Sequence, residues 1–458
     1  MRRLNSRRKK QRSSFPFYLI IALLLAGAGG YIFVTYFEGE KPLIIARHLP
    51  DYIGKKTNIS LTISDTRSGL RSMKMVIIQS GKEKTLFVKD FQRKQKDGSG
   101  GTAQDEISFE IDTKALKLKE GEAVIHVVAT DYSLRGLMKG NFTELFHNVI
   151  IDTKPPKITI IHSGRYIKPG GAGIVIYSVD DTVKHGVMMN NIYHPGFPLT
   201  DGSDSKYIAY IALPYSAEKI SQSHVFAKDI SGNKTIKSFA PILKNPKQKK
   251  DIINVGDGFL SKKIPEFEEH YPEMEGDMLQ KYLYTNRNVR EANNQKIHDQ
   301  CMTPGQKQLW AGRFIRMAGS GKAGFADHRT YFYKGKAIDK QVHLGMDIAS
   351  TRHAAIKAAG TGKVIFSDYL GIYGNMVILD HGQGVFSLYS HLSQINVSPD
   401  DMLNKGDILG NSGTSGMSGG DHLHFSMLIN GIFVDPKEWW DQHWIDVTID
   451  GPLVDAKF

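Results

Sequence analysis

Three short segments near the C-terminus carry the residues best suited to chemistry: His343-Leu-Gly-Met-Asp347, Tyr389-Ser-His391-Leu392 and Asp421-His422-Leu-His424-Phe425. A catalytic zinc ion takes three protein ligands from His and Asp/Glu and keeps a fourth position for water, whose pKa it lowers towards neutrality. One Asp and two His from this set fill that count, and two imidazoles are left over to move protons near neutral pH. A closed structural site is disfavoured, because such sites use four protein ligands, often Cys, and the single cysteine, Cys301, lies far from these segments. Cys301 reads as a small buried residue, and no intrachain disulfide can form.

Period-two patterning places these residues on strands. Across residues 384–392, Phe386, Leu388 and Leu392 are expected on one face and Tyr389 and His391 on the other, so that His391 points away from the core. Across residues 422–429, Leu423, Phe425, Met427 and Ile429 bury one face, and His422 and His424 emerge on the opposite one. Asn430-Gly431 suits a type I′ turn, which makes this segment one arm of an antiparallel hairpin. His343 and Asp347 share a face if extended, and Gly345 argues against a helix there. Turn-rich Asp380-His-Gly-Gln-Gly384 and Asn404-Lys-Gly-Asp407 imply consecutive antiparallel strands with an open groove between their exposed faces. The glycine-rich stretch at residues 410–420 lacks the Gly-Lys-Ser/Thr ending of a phosphate loop and reads as a mobile groove wall. His328, His353, His381 and His443 read as ordinary satisfied polar residues.

In order and spacing these segments resemble the lysostaphin-like (LytM-type) zinc metallopeptidases, whose pattern is His-x-x-x-Asp followed much later by His-x-His. The resemblance includes Gly371-Ile-Tyr-Gly-Asn375, Val377-Ile-Leu-Asp-His381-Gly382, Leu388-Tyr-Ser-His-Leu392, Lys405-Gly-Asp407 and Asp421-His-Leu-His-Phe425, and covers the last third of the chain, from about Trp310 to Trp440. It implies that His343, Asp347 and His424 bind one Zn2+, that His391 and His422 are the catalytic pair outside the ligand set, and that the substrate is a peptide of peptidoglycan. Two segments depart from the family pattern: Phe325-Ala326, where many relatives have Phe-Gly, and Thr351-Arg-His353, where a Gly-Thr-Pro type turn is usual.

The rest of the chain must carry and position this segment. Its 458 residues allow about three domains, and 41% hydrophobic with 23% charged residues is globular composition. Arg2, Arg3, Arg7, Arg8, Lys9, Lys10 and Arg12 precede an uncharged apolar run at residues 15–37, long enough for a single transmembrane helix with its positive flank in the cytoplasm. Ala26-Gly27-Ala28 has the form of a signal-peptide cleavage site, but Tyr31-Ile-Phe-Val continues the apolar run beyond it. Those seven positives account for most of the net +12, and the +5 left gives no reason to expect a nucleic-acid partner.

From Leu43 to about Leu243, short Val/Ile/Thr/Phe runs between Gly, Asp, Ser and Pro clusters imply antiparallel β-sandwich modules. Val128-Ala-Thr-Asp-Tyr-Ser133 recurs as Phe226-Ala-Lys-Asp-Ile-Ser231, and with the Asp152-Thr-Lys-Pro-Pro156 junction the two modules resemble bacterial immunoglobulin-like repeats, read here as spacers. Lys247 to Lys250 reads as a solvated connector, and the apolar spacing of Leu279, Tyr282, Leu283, Val289 and Ile297 predicts a connecting helix within residues 275–301.

The expectation is therefore a mainly β chain: a cytoplasmic leader at 1–14, an anchor at 15–37, modules at 43–153 and 157–243, a linker with a helix at 244–306, and an antiparallel metallopeptidase domain at 307–445. The expected function is a membrane-anchored zinc metalloendopeptidase of peptidoglycan, its catalytic domain in the periplasm or outside the cell. The alternatives are a protein that activates other wall hydrolases through a degenerate version of the fold, or a protease of envelope proteins.

Overall fold

The alternating runs fold as strands, and the computed structural model, which describes residues 15–93, 101–199, 205–244 and 248–457, is mainly β. The basic leader at 1–14 lies outside the described residues. The chain divides into two compact units, Met1–Pro155 with Ile230–Asn233, and Pro156–Asp229 with Lys234–Phe458.

In the first unit the apolar run forms the helix Phe15–Tyr36, with Leu23, Leu24 and Leu25 exposed. Among the described residues no helix is long and apolar enough to cross a membrane. A three-stranded sheet (Leu43–His48, Lys56–Ser64, Gln104–Asp112) and a five-stranded sheet (Tyr52–Ile53, Leu70–Gln79, Lys82–Asp90, Gly121–Asp131, Phe142–Ile151) contribute to one core of Ile59, Leu61, Met73, Met75, Ile125 and Val127. Alternation is clear in Gly121–Asp131, where Ala123, Ile125, Val127 and Ala129 are buried and the residues between them are not.

The second unit begins with two four-stranded sheets. In strand Ala172–Val179 both faces are buried: Val175, Tyr177 and Val179 face the core between these sheets, while Ala172, Ile174 and Ile176 pack into a cluster with Trp310, Phe314 and Trp439. Lys168 adds ion pairs to Asp435 (2.8 Å) and Glu438 (3.2 Å). The segment expected as a spacer at 157–243 therefore shares a core with the C-terminal part of the chain. A face that reads as strand alternation alone does not reveal that its second side is also covered.

The C-terminal part is built on a sheet whose central order is Met346–Ala349, Leu423–Ile429, Val385–Ile395, Gly374–Asp380, Gly362–Leu370. The last three pair antiparallel with their neighbours, and Asn430 and Gly431 turn the Leu423–Ile429 strand into Ile432–Val434 with φ of 49° and 79°, the double positive φ of a type I′ turn.

The linker differs from the expectation. Strand Lys250–Val255 pairs in parallel with His328–Tyr333, and Lys249 reaches Asp327 at 2.9 Å; Lys247 lies outside the described residues, and Lys249 and Lys250 are solvent-exposed, as expected, but paired rather than free. An additional helix, Asp257–His270, follows, burying Leu260, Lys263, Ile264 and Phe267 at helical spacing. Met278–Tyr284 then starts on a capping box formed by Asp277 and Gln280 and continues through a π turn into Arg290–Gln300. Phe267, Val289 and Ile297 from these helices, with Met274 and Cys301 flanking them, join Ile378, Phe386, Leu388 and Leu428 in one core.

Candidate active site

The sheet brings His343, Asp347 and His424 together. Asp347 lies on strand Met346–Ala349 directly opposite His424 on Leu423–Ile429, and His343 follows the strand Lys336–Val342. Gly345 makes the approach possible: a Cβ there would sit 2.6 Å from His424 Nε2 and 2.6 Å from Ser426 Oγ. His343 Nε2, His424 Nδ1 and Asp347 Oδ1 lie 2.9 to 3.0 Å from one another, and all three residues are buried.

Their outer bonds fix which atoms carry protons. His343 Nδ1–H donates to the Gly324 carbonyl (2.8 Å), leaving the Nε2 lone pair facing the cluster. Ser426 Oγ–H donates to Leu344 O (2.9 Å), so its oxygen accepts His424 Nε2–H (3.2 Å), and His424 Nδ1 also presents a lone pair. Burial pushes the His424 imidazole down to about 4, which keeps it neutral. Burial opposes ionisation of Asp347, but the facing His343 and the bonds from His422 and His424 outweigh it and hold the carboxyl well below the usual range. Arg329 supports the same carboxylate through Oδ2 at 3.1 Å. Two imidazole nitrogens and a carboxylate oxygen thus converge, and the tautomers set by the outer bonds let both nitrogens turn lone pairs to a cation in place of their present hydrogen bonds to Asp347. This donor set fits a divalent cation, and the separations are a few tenths of an ångström below the roughly 3.3 Å edge of a tetrahedral zinc site with bonds of about 2.0 to 2.1 Å.

His391 reaches this cluster by a route the alternation did not predict. Phe386 and Leu388, expected opposite His391, lie on the His424 side of the sheet, since Leu388 pairs with Ser426 and Ser390 with His424. Tyr389 points into the other core, where it packs on Phe425. A β-bulge at this point, Met376 of Gly374–Asp380 facing both Ser390 and His391 of Val385–Ile395, and a φ of 62° at His391 switch the register, so His391 turns onto the site face while Leu392 joins the Tyr389 core. His391 Nδ1–H donates to Ser415 O (2.9 Å), its ring lies 4.9 Å from that of His422, and burial holds its imidazole well below the ordinary value.

His422 precedes the strand proper and is joined to Gly413 by a single bridge. Its Nδ1–H donates to Gly420 O (2.7 Å), and its Nε2 stands 3.5 Å from Asp347 Oδ1. Burial works against its protonation, but the Asp347 hydrogen bond and charge prevail and raise it. His381 lies in the core with both ring nitrogens bonded, to Thr361 O and Ser387 Oγ, and His353 bonds Ser393 Oγ.

All five residues line one cavity of about 330 Å³. The groove expected to be open is lined also by Ile253, Val255, Phe259, Tyr282 and Arg290, all from the linker. The loop at residues 413–420 is tied down: Lys263 Nζ donates to Thr414 O, and Gly416 N–H donates to Glu266 Oε1 (2.9 Å), bracketing the Ser415 carbonyl that holds His391. Lys263, Glu266 and Arg290 were not among the sequence candidates, because they lie far from the His motifs and only tertiary packing brings them close.

The sequence profile of Peptidase family M23 matches residues 341–436. Similar proteins include the DD-carboxypeptidase/endopeptidase Mpg of Neisseria meningitidis serogroup B, 35% identical over 96 residues, covering 21% of this chain and 22% of that protein. The peptidoglycan DD-endopeptidase ShyC of Vibrio cholerae is 33% identical over 97 residues, 21% of this chain and 22% of ShyC. The murein hydrolase activator EnvC of Escherichia coli is 34% identical over 95 residues, 21% of this chain and 23% of EnvC. The chain thus matches under a quarter of the length of these relatives. Residues 341–436, which hold all five candidate side chains, are a Peptidase family M23 domain of the lysostaphin-like type.

Proposed function

We propose that the chain is a membrane-anchored zinc metalloendopeptidase that hydrolyses peptide bonds in peptidoglycan. The observation that carries this reading is the convergence of His343 Nε2, His424 Nδ1 and Asp347 Oδ1 within 2.9 to 3.0 Å of one another. These three side chains would hold the metal, and zinc bound there supplies a Lewis acid for the scissile carbonyl and lowers the pKa of water. His391 and His422 each have Nδ1 committed to a carbonyl, so Nε2 of each, that of His422 facing Asp347 Oδ1 at 3.5 Å, is the atom that would take a proton from the attacking water or give one to the leaving amine. Arg329, paired with Asp347 Oδ2, orients that carboxylate. Peptidoglycan as substrate is supported by the M23 domain and by ShyC, named for that activity. An anchor is supported by the uncharged run at 15–37 behind seven basic residues, which would put the domain on the outer side of the cytoplasmic membrane.

The EnvC relative favours a second reading, activation of other wall hydrolases. The complete set of three candidate ligands speaks for catalysis. Digestion of purified peptidoglycan by the metal-loaded chain, with released ends identified by mass spectrometry, tests both. New peptide ends with the wild type, absent for a folded His424→Ala variant that no longer retains zinc, are expected. Wall digestion only when a second hydrolase is added would instead establish the activator, and cleavage of envelope proteins but not of peptidoglycan would redirect the substrate.

A further inference from the structure

We infer that Arg290 is a specificity residue that binds a carboxylate of the substrate, so that the site takes peptides bearing a free carboxylate close to the scissile bond. The inference rests on the peptidase reading above and adds a substrate class to it. Arg290 lines the same cavity as His343, Asp347, His391, His422 and His424. It comes from the helix Arg290–Gln300, outside the matched M23 residues, and so is a contribution of this chain's own linker.

The guanidinium is held in place but its charge is unanswered. Nε donates to Asn286 O (3.1 Å) and Nη2 to Asn286 Oδ1 (2.6 Å), one turn back along the helix. Asn286 is in turn fixed by donating to Asp339 Oδ2 (2.7 Å), and Asp339 pairs with Arg287 (2.9 Å). Among the described residues no carboxylate lies within ion-pair distance of Arg290. The other guanidinium in the cavity, Arg329, is already paired with Asp347 (3.1 Å) and Asp251 (3.6 Å). The cavity's own carboxylate, Asp347, belongs to the metal cluster. A preorganised guanidinium with donors to spare and no internal anion is suited to bidentate binding of a carboxylate, and it adds to the positive potential of a divalent ion in the same cavity.

The surrounding surface defines the rest of the ligand. Tyr282, Tyr331 and Tyr373 with Ile253, Ile372 and Met417 give a mixed aromatic and aliphatic wall suited to a short peptide. About 330 Å³ is at the small end of the roughly 300 to 1,000 Å³ usual for ligand pockets, so the carboxylate must lie near the bond being cut. In a peptidoglycan stem peptide that carboxylate is either the C-terminal one or one on a side branch.

The test uses the full metal-loaded chain with three versions of one stem peptide: the free acid, its C-terminal carboxamide, and a peptide with the side-branch carboxylate amidated. Binding is measured by calorimetry and cleavage by mass spectrometry, for the wild type, Arg290→Met and Arg290→Lys. The free acid is expected to bind the wild type about 10-fold or more tighter than one of the two amides, and that amide identifies the carboxylate recognised. Arg290→Met should lose the preference through KM, with kcat and zinc content retained, and Arg290→Lys should recover part of it. Equal binding of all three peptides by the wild type, or a preference that survives in Arg290→Met, overturns the inference. Absence of cleavage would count against the peptidase reading alone, because the binding preference and its loss in Arg290→Met are read without turnover.

Discussion

Lys263→Met tests whether the linker helix holds the catalytic loop. Lys263 is buried on Asp257–His270, and its ammonium bonds Thr414 O and Glu266 Oε2 (3.0 Å), while Glu266 Oε1 accepts Gly416 N–H (2.9 Å). Ser415, between those two anchor points, accepts the Nδ1–H of His391. Methionine fills similar apolar volume but removes the charge and both donors. A hydrogen bond involving a charged group contributes about 1.5 to 3 kcal/mol. The Thr414 bond is lost outright, whereas Glu266, with 32% of its side chain exposed, is partly resolvated, so the ion pair adds little. The expected cost is about 2 kcal/mol, or roughly a 30-fold shift in any opening equilibrium the pair opposes. Urea denaturation reads the global part, and hydrogen exchange at the Gly416 amide reads the loop, which should exchange faster by about that factor; kcat should fall as His391 loses its fixed acceptor. Unchanged Gly416 exchange together with unchanged kcat would refute the idea that the linker positions the loop.

Two further outcomes follow from particular groups. His424, neutral down to about 4 in the folded chain against 6.5 for an ordinary histidine, makes the unfolded chain the better proton binder across that window. The metal-stripped protein should therefore lose up to about 3 kcal/mol of stability as pH falls from 6.5 to 4. His391 acts in the same sense, whereas His422, raised in the fold, contributes stability below 6.5 that is lost as pH rises through its folded value. Chemical denaturation of the stripped wild type and of His424→Gln at several pH values reads the difference, and parallel pH dependences would contradict it. Ala326 has φ of 59°, a conformation that glycine adopts without a Cβ penalty, so Ala326→Gly should stabilise by about 0.5 to 1 kcal/mol and raise the melting temperature; a lower melting temperature would show that this backbone is not strained.

The motifs near the C-terminus were legible because the residues that do chemistry are few, polar and set at strand spacing. His-x-x-x-Asp and His-x-His read as extended segments and Asn430-Gly431 announced a hairpin, while the pairing of Asp347 opposite His424 came only with the structure. The short Val/Ile/Thr/Phe runs of the anterior region, such as Ile107–Ile111 and Ala123–Val128, likewise read as strands and lie in strands Gln104–Asp112 and Gly121–Asp131. His391 was recognised but assigned to the wrong face, because a bulge adds one residue to the count and inverts everything beyond it without changing composition.

The helix Asp257–His270 had a readable apolar spacing at Leu260, Ile264 and Phe267, obscured by Pro265 and the surrounding charge. What the helix touches could not be read at all. Sequence alone determined which side chains could gather a metal and move a proton, since that is set by residue type and local period. Only tertiary structure decided that a linker roofs the cavity, that Lys263 and Glu266 pin the loop behind His391, and that Arg290 stands unpaired beside it. Those contacts join residues up to about 150 positions apart, and at that separation the chain carries no local periodicity to record them.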